Sequence, residues 1–176
     1  MSRAAAVTMA PISLMIALTV VAGPASSAPP HTSVPPAPSG AAPAPDPWAR
    51  VEAVIERHLG RPYVWGSSGL KSYDCSGFVW RVMYENGILI KRTTARKYFL
   101  TLPKVPDDAR WAFGNIVFFS NLKHCGIVRT HETFYHAAVS AGTHVSRFDP
   151  LWRGRVSGVR AMPGLAGPAH AAPSGH

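Results

Sequence analysis

Apolar residues recur at helical spacing in two stretches and at strand spacing in five, and their order along the chain predicts the fold class. Val51, Val54, Ile55 and Leu59 share one face of a helix that Asp46 can cap, Pro47 can open and Gly60 can end. A second helix is predicted from Asp74 or Cys75 to Asn86, with Phe78, Val79, Val82 and Met83 as its buried face and Gly87 as its stop. After Pro106 the pattern shortens. Segments 116–119, 125–128, 133–139, 144–148 and 156–161 each have the length and the β-branched or aromatic composition of a strand. Helices first and antiparallel strands later make an α+β domain, with N-terminal helices packed on a sheet of five or six strands. The sequence shows no internal repeat.

The flanks of this unit have a different character. Arg3, an apolar stretch from Ala4 to Ala22, and the small residues Ala25, Ser26, Ser27 and Ala28 follow the order of a secretory signal peptide. Residues 1–25 are therefore read as a leader cleaved after Ala25, with Pro11 and the interspersed hydroxyls arguing against a spanning helix. Residues 26–45 are read as a linker, because nine prolines fall between Pro24 and Pro47 among alanine and serine, which cannot build a core. The folded domain is placed at 46–162. Residues 163–176, rich in Ala, Gly, Pro and His, are read as a disordered tail.

Composition narrows the classes further. A chain of 176 residues with 47% hydrophobic positions holds one ordinary domain and not two large ones. Two cysteines, Cys75 and Cys125, exclude a disulfide-stapled scaffold, and without paired CxxC arms no structural zinc site is expected. The net charge of +9 favours polyanionic partners. Nucleic acid is not expected among them, since no interleaved aromatic stripe or nucleic-acid motif accompanies the charge and the leader directs export. A basic surface with no dedicated partner is the plainer alternative.

Chemistry concentrates in residues 63–77, YVWGSSGLKSYDCSG. A Gly- and Ser-rich loop delivers Cys75 to the start of a helix, where unpaired amides and the helix dipole favour an anion such as a thiolate. The plainer alternative is a small buried cysteine without reactivity. A nucleophile needs a base, and the histidines outside the flanks and the first helix narrow the choice. His124 begins the strand HCGIV, and His136 sits in the strand FYHAA. If those strands are neighbours, the second imidazole can orient the first, giving nucleophile, base and orienter in Cys-His-His form. Each histidine alone is more simply a satisfied core or surface group.

The series YVWG, DCSG with its apolar helix, KRTT, GNIVFF, HCGIV and FYHAA resembles the NlpC-type family of papain-like cysteine peptidases of the bacterial cell wall, in order and spacing across residues 62–162. The resemblance implies a papain-like fold and a secreted hydrolase of amide bonds in peptidoglycan stem peptides, between γ-D-glutamate and a diamino acid. It implies Cys75 as nucleophile, His124 as general base and His136 as the orienting residue. It also implies that Tyr63 shapes the oxyanion or substrate pocket, and that Asp74 and Ser76 contact the stem peptide. Trp65 is assigned a packing role. Neither metal nor organic cofactor is implied.

Some positions depart from that pattern. Asn115 stands where the family usually has aspartate, Lys91 and Lys97 replace the usual proline and glutamine, and Arg129, Thr130, His131 and Glu132 occupy a turn that commonly runs through glycine. His131 is a competing polar residue, read more simply as an exposed turn histidine. Cys125 follows His124 and so points to the opposite face of its strand, which is expected to hold its sulfur away from Cys75 and to disfavour a disulfide. The expected partners are stem peptides and anionic wall polymers, with no membrane contact after leader cleavage. The alternatives are a non-catalytic wall-binding module, or an amidase or toxin-like effector acting on another envelope target.

Overall fold

The computed structural model describes residues 46–165. The leader, the linker and most of the tail read from the sequence lie outside them. Among the described residues no helix is long and apolar enough to cross a membrane.

Helix α1, Pro47–Arg57, starts where the sequence places it: the Asp46 carboxylate accepts the Trp48 amide at 3.0 Å, and Pro47 occupies the first turn. It buries Trp48, Val51, Val54 and Ile55. The helix ends before Leu59, so His58 is its C-cap and not a member of its last turn. Helix α2, Cys75–Glu85, buries the predicted face of Phe78, Val79, Val82 and Met83 and gives way to Gly87 at φ +81°. Burying side chains of this size stabilises the fold by roughly 1.5–3 kcal/mol each.

Two short helices were not legible in the sequence. Helix α3, Ala95–Thr101, is opened by Thr94, whose hydroxyl accepts the Lys97 amide at 3.3 Å, and it buries only Ala95 and Tyr98. Helix α4, Pro150–Gly154, is capped by Asp149 through the Trp152 amide at 2.8 Å. Both are too short for a 3.6-residue period to repeat.

Five antiparallel strands, β1 Ile116–Phe119, β2 His124–Val128, β3 Thr133–Ala138, β4 Gly142–Arg147 and β5 Val156–Arg160, form one sheet in the order β4-β3-β2-β1-β5. The fourth begins two residues earlier than its hydrophobic pattern predicts. Thr143 accounts for this by stitching the strand to the loop after α1: its amide donates to the Arg61 carbonyl and its carbonyl accepts the Gly60 amide, both at 2.8 Å. Alternation then divides the sheet's side chains. Ile116, Phe118, Cys125, Ile127, Tyr135 and Ala137 pack with the residues of α1 and α2. Val117, Phe119, Val128 and Phe134 form a second cluster with Phe148 and Val159, flanked by Trp111 and by Trp152 of α4. Two layers on one sheet hold its strands rigidly between them, and α2 and β2 are the elements that carry the candidate chemistry.

Candidate active site

The loop before Cys75 is closed by its own backbone. The Val64 amide donates to Tyr73 O at 3.0 Å, the Tyr73 amide to Pro62 O at 3.1 Å and the Asp74 amide to Ser67 O at 2.9 Å. Asp74 then caps α2, its Oδ1 accepting the Gly77 amide at 2.6 Å while Oδ2 accepts the Gly66 amide at 2.9 Å. Ser76 Oγ donates to Asp74 Oδ1 at 3.0 Å. Gly77 has to be glycine, because a Cβ there would lie 2.0 Å from the Ser67 carbonyl oxygen. The tetrad DCSG is thus a cap, a thiol, a hydroxyl that steadies the cap and a clearance, each required by the turn into α2.

This turn depends on a residue that sequence reasoning missed. Arg92 donates from Nη2 to both Asp74 oxygens, at 2.7 and 2.6 Å, and from Nη1 to Ser76 Oγ at 3.0 Å. The sequence shows Arg92 only as one of four basic residues in a segment. An arginine outside the helix it steadies leaves no periodic signal.

Cys75, 7% exposed, stands at the first position of α2, where His124 and Cys125 both reach its sulfur. The two thiols are close enough to influence each other's ionisation, and both cysteines are free. This corrects the expectation that the sulfurs face apart. Strand alternation does turn Cys125 away from His124, but α2 packs on that same face, so Cys125 lies beneath Cys75. Its S–H, followed by the hydrogen bond and charge of His124, lowers the Cys75 thiol from its ordinary value to about 5 against the opposing effect of burial. Cys125 itself is pushed well up by burial and by Cys75. Replacing Cys125 with valine is therefore expected to raise the acid limb of Cys75 alkylation by about one pH unit, the worth of one hydrogen bond to a charged group. Iodoacetamide rates between pH 4 and 8 check this.

His124 is delivered by a tight turn in which Ser120, Asn121 and Leu122 all have positive φ, 52°, 55° and 67°. Left-handed backbone at a leucine is uncommon and costly, and it persists where the surroundings dictate it. Here the Ser120 amide donates to Arg155 O at 2.8 Å and the Asn121 amide to Ser157 Oγ at 3.0 Å. His124 Nε2 lies 2.8 Å from His136 Nδ1, so the strands are neighbours as the sequence reading required. Gly126 pairs directly with His136, and a Cβ on it would come within 2.5 Å of Tyr135 O and 3.1 Å of His136 Cβ. The glycine of HCGIV is what lets the two strands meet at the histidine. His136 is 1% exposed, and burial, followed by His124 and His144, lowers it to about 3, so it stays neutral.

A groove of 570 Å³ opens beside Cys75, lined among others by Asp74, Ser76, Arg92, Leu122, Lys123 and Trp65. Trp65 is 85% exposed at this rim, which overturns the packing role read from the sequence. Tyr63 is half-buried close to Cys75, its hydroxyl kept protonated by burial and then by the Cys75 charge. His131 is not part of the site: its side chain is 77% exposed and it faces Glu132 at 3.7 Å. Asn115 is buried away from the groove, and its Nδ2 donates to Ala109 O at 2.8 Å. That departure from the family pattern therefore serves the scaffold. Among the described residues no cluster of three or more His, Cys, Asp or Glu side chains is arranged to hold a metal ion.

A thiol at a helix N-terminus, facing imidazoles on the strands of an antiparallel sheet, is the papain-like arrangement. The sequence model of the NlpC/P60 family matches residues 60–161, more than half of the chain, and the chain belongs to that family. It is 37% identical over 78 residues to the probable endopeptidase p60 of Listeria seeligeri, covering 43% of this chain and 14% of that protein. It is 30% identical over 107 residues to the probable peptidoglycan endopeptidase LytE of Bacillus subtilis, covering 58% of this chain and 30% of LytE. The chain thus spans less than a third of these relatives' length. In fold it is similar to an NLP/P60-family lipoprotein-like protein of Staphylococcus aureus, with a TM-score of 0.58 at 23% identity over 66% of this chain and 41% of that one. It is similar also to RipD of Mycobacterium tuberculosis, described as a non-catalytic NlpC/p60 domain protein adapted to peptidoglycan binding, with a TM-score of 0.53 at 14% identity over 66% of this chain and 96% of that one.

Proposed function

We propose that this chain is an exported cysteine peptidase that hydrolyses peptidoglycan stem peptides, at the amide between γ-D-glutamate and a diamino acid. The observation that carries the reading is the Cys75 thiol, lowered to about 5 and touching an imidazole that a second, buried imidazole holds in place. The names of the p60 and LytE relatives supply the substrate class.

In the reaction, Cys75 Sγ attacks the scissile carbonyl carbon. The oxyanion is met by the Cys75 amide at the start of α2 and by the Tyr63 hydroxyl. His124 gives its proton to the departing amine, the C–N bond breaks, and the acyl group stays on sulfur. His124 then takes a proton from water, whose oxygen displaces the thiolate and releases the acid. Asp74 and Ser76, buried residues in the lining of the groove, contact the stem peptide, while Trp65 offers an apolar platform at the rim. Neither step needs a metal or an organic cofactor. Exposed Lys123 at the groove, with Lys91 and Lys97 beside a neighbouring one of 470 Å³, presents positive charge to anionic wall polymers. The leader and the proline-rich linker suit export to the cell wall.

Digestion of purified muropeptides followed by mass spectrometry tests the bond. The expected products carry a new amino terminus on the diamino acid and a new carboxyl on D-glutamate. Cleavage at the sugar-to-alanine amide would make the protein an amidase. Intact muropeptides that nevertheless bind would leave a wall-binding module of the RipD kind.

A further inference from the structure

The hydrogen bond between His124 and His136 is the start of a chain that continues past His136. His136 Nε2 lies 2.9 Å from Ser146 Oγ, Ser146 Oγ lies 3.1 Å from His144 Nε2, and His144 Nδ1 lies 3.0 Å from the Gly142 carbonyl oxygen. All three added groups belong to β4, which pairs with β3 so that His144 sits opposite His136 and Ser146 opposite Phe134. We propose that Ser146 and His144 are positioning residues that fix the tautomer of His136 and, through it, which nitrogen of His124 faces Cys75. The inference deepens the peptidase reading and rests on it for its kinetic consequence.

With His144 neutral, the direction of every bond follows from the last one. A carbonyl oxygen can only accept, so the neutral His144 ring carries its proton on Nδ1 and offers a bare Nε2. Ser146 donates its hydroxyl proton to that nitrogen and accepts with its oxygen from His136, which therefore carries its proton on Nε2. His136 Nδ1 is then a lone pair, and His124 must donate to it from Nε2. That leaves His124 Nδ1 as the nitrogen that takes or gives the proton at Cys75. The burial that keeps His136 neutral makes this a choice between two tautomers, only one of which completes the chain. Its ring cannot easily turn to evade the choice. Phe134, His144 and Trp152 surround it with ring centroids 4.7, 4.5 and 5.1 Å away.

Without Ser146 the His136 Nε2 proton has no acceptor. The other tautomer then gains population, and it places two N–H groups against each other between His136 and His124. In His144→Phe, which keeps a ring over His136, the serine proton is free to turn toward His136 Nε2 with the same result. The test is nitrogen-15 NMR of the histidine side chains in the full chain and in its Ser146→Ala, Ser146→Thr and His144→Phe variants, beside kcat and KM on muropeptides. The parent is expected to show His136 protonated at Nε2 only. Ser146→Ala and His144→Phe are expected to show mixed tautomers and a kcat lowered about tenfold at unchanged KM, the worth of one hydrogen bond. Ser146→Thr is expected to restore both. The inference is overturned if His136 keeps its Nε2 proton in both variants, or if its tautomer changes while kcat of an active parent does not. A parent that cleaves no muropeptide defeats the peptidase reading, and the tautomers still decide whether β4 sets the proton positions.

Discussion

Replacing Cys75 with alanine is expected to lower muropeptide cleavage by at least about 10³-fold, to background, with the protein folded and still binding its substrate. The Cys75 sulfur is the group proposed to form the acyl intermediate, and an alanine methyl at the start of α2 disturbs neither the Asp74 cap nor the Gly77 clearance. His124→Ala should lose nearly as much. The double variant should lose no more than the worse single one, because groups that act in one step are not additive. Cleavage rates from chromatography of released peptides, with far-UV circular dichroism as the folding control, check this. An alanine variant at Cys75 that retains a tenth of the parent's rate would remove the thiol from the mechanism.

The second large effect concerns stability. Arg92→Met is expected to destabilise the domain by about 3 kcal/mol, because it strips the cation from a buried carboxylate. The figure sits at the low end for a broken buried pair. Asp74 keeps the Gly66 and Gly77 amides and the Ser76 hydroxyl, and the Arg92 side chain is itself a quarter exposed. For a domain of this size the loss is roughly 10–15 °C in the melting temperature. Arg92→Lys should recover only part of it, since a single ammonium cannot hold the Asp74 carboxylate and the Ser76 hydroxyl together, as the two guanidinium nitrogens do. Thermal unfolding followed by circular dichroism gives the answer. A melting point within about two degrees of the parent would mean that the loop closes on its backbone bonds alone.

What the sequence revealed and what it hid divide along physical lines. Helices α1 and α2 were legible because each repeats its apolar pattern along one face between a cap and a stop, and the five strands because each is a short apolar or β-branched run, with only the start of β4 misplaced. The placement of Cys75, His124 and His136 was legible for a related reason: a thiol at a helix start and imidazoles on neighbouring strands are set by local order and strand pairing. Long-range geometry was not. Arg92 steadies Asp74 across 18 residues of chain, Trp65 is exposed because its loop folds outward, and Cys125 meets Cys75 only because α2 covers that face of β2. The alternation rule for Cys125 was sound, and it lacked the position of the helix. Ser146 and His144 read as ordinary strand residues until β4 is laid against β3.

Peptidase activity in this chain requires Cys75 to be the group whose reaction is the cleavage. Graded alkylation with iodoacetamide, sampled for intact mass, peptide mapping and residual muropeptide cleavage, compares the two in one experiment. Activity is predicted to fall in proportion to label on the peptide containing Cys75, reaching zero at one label per chain, with Cys125 unmodified and an acid limb near pH 5. Cleavage that persists in protein fully alkylated at Cys75, or that disappears while Cys75 remains free, would contradict it.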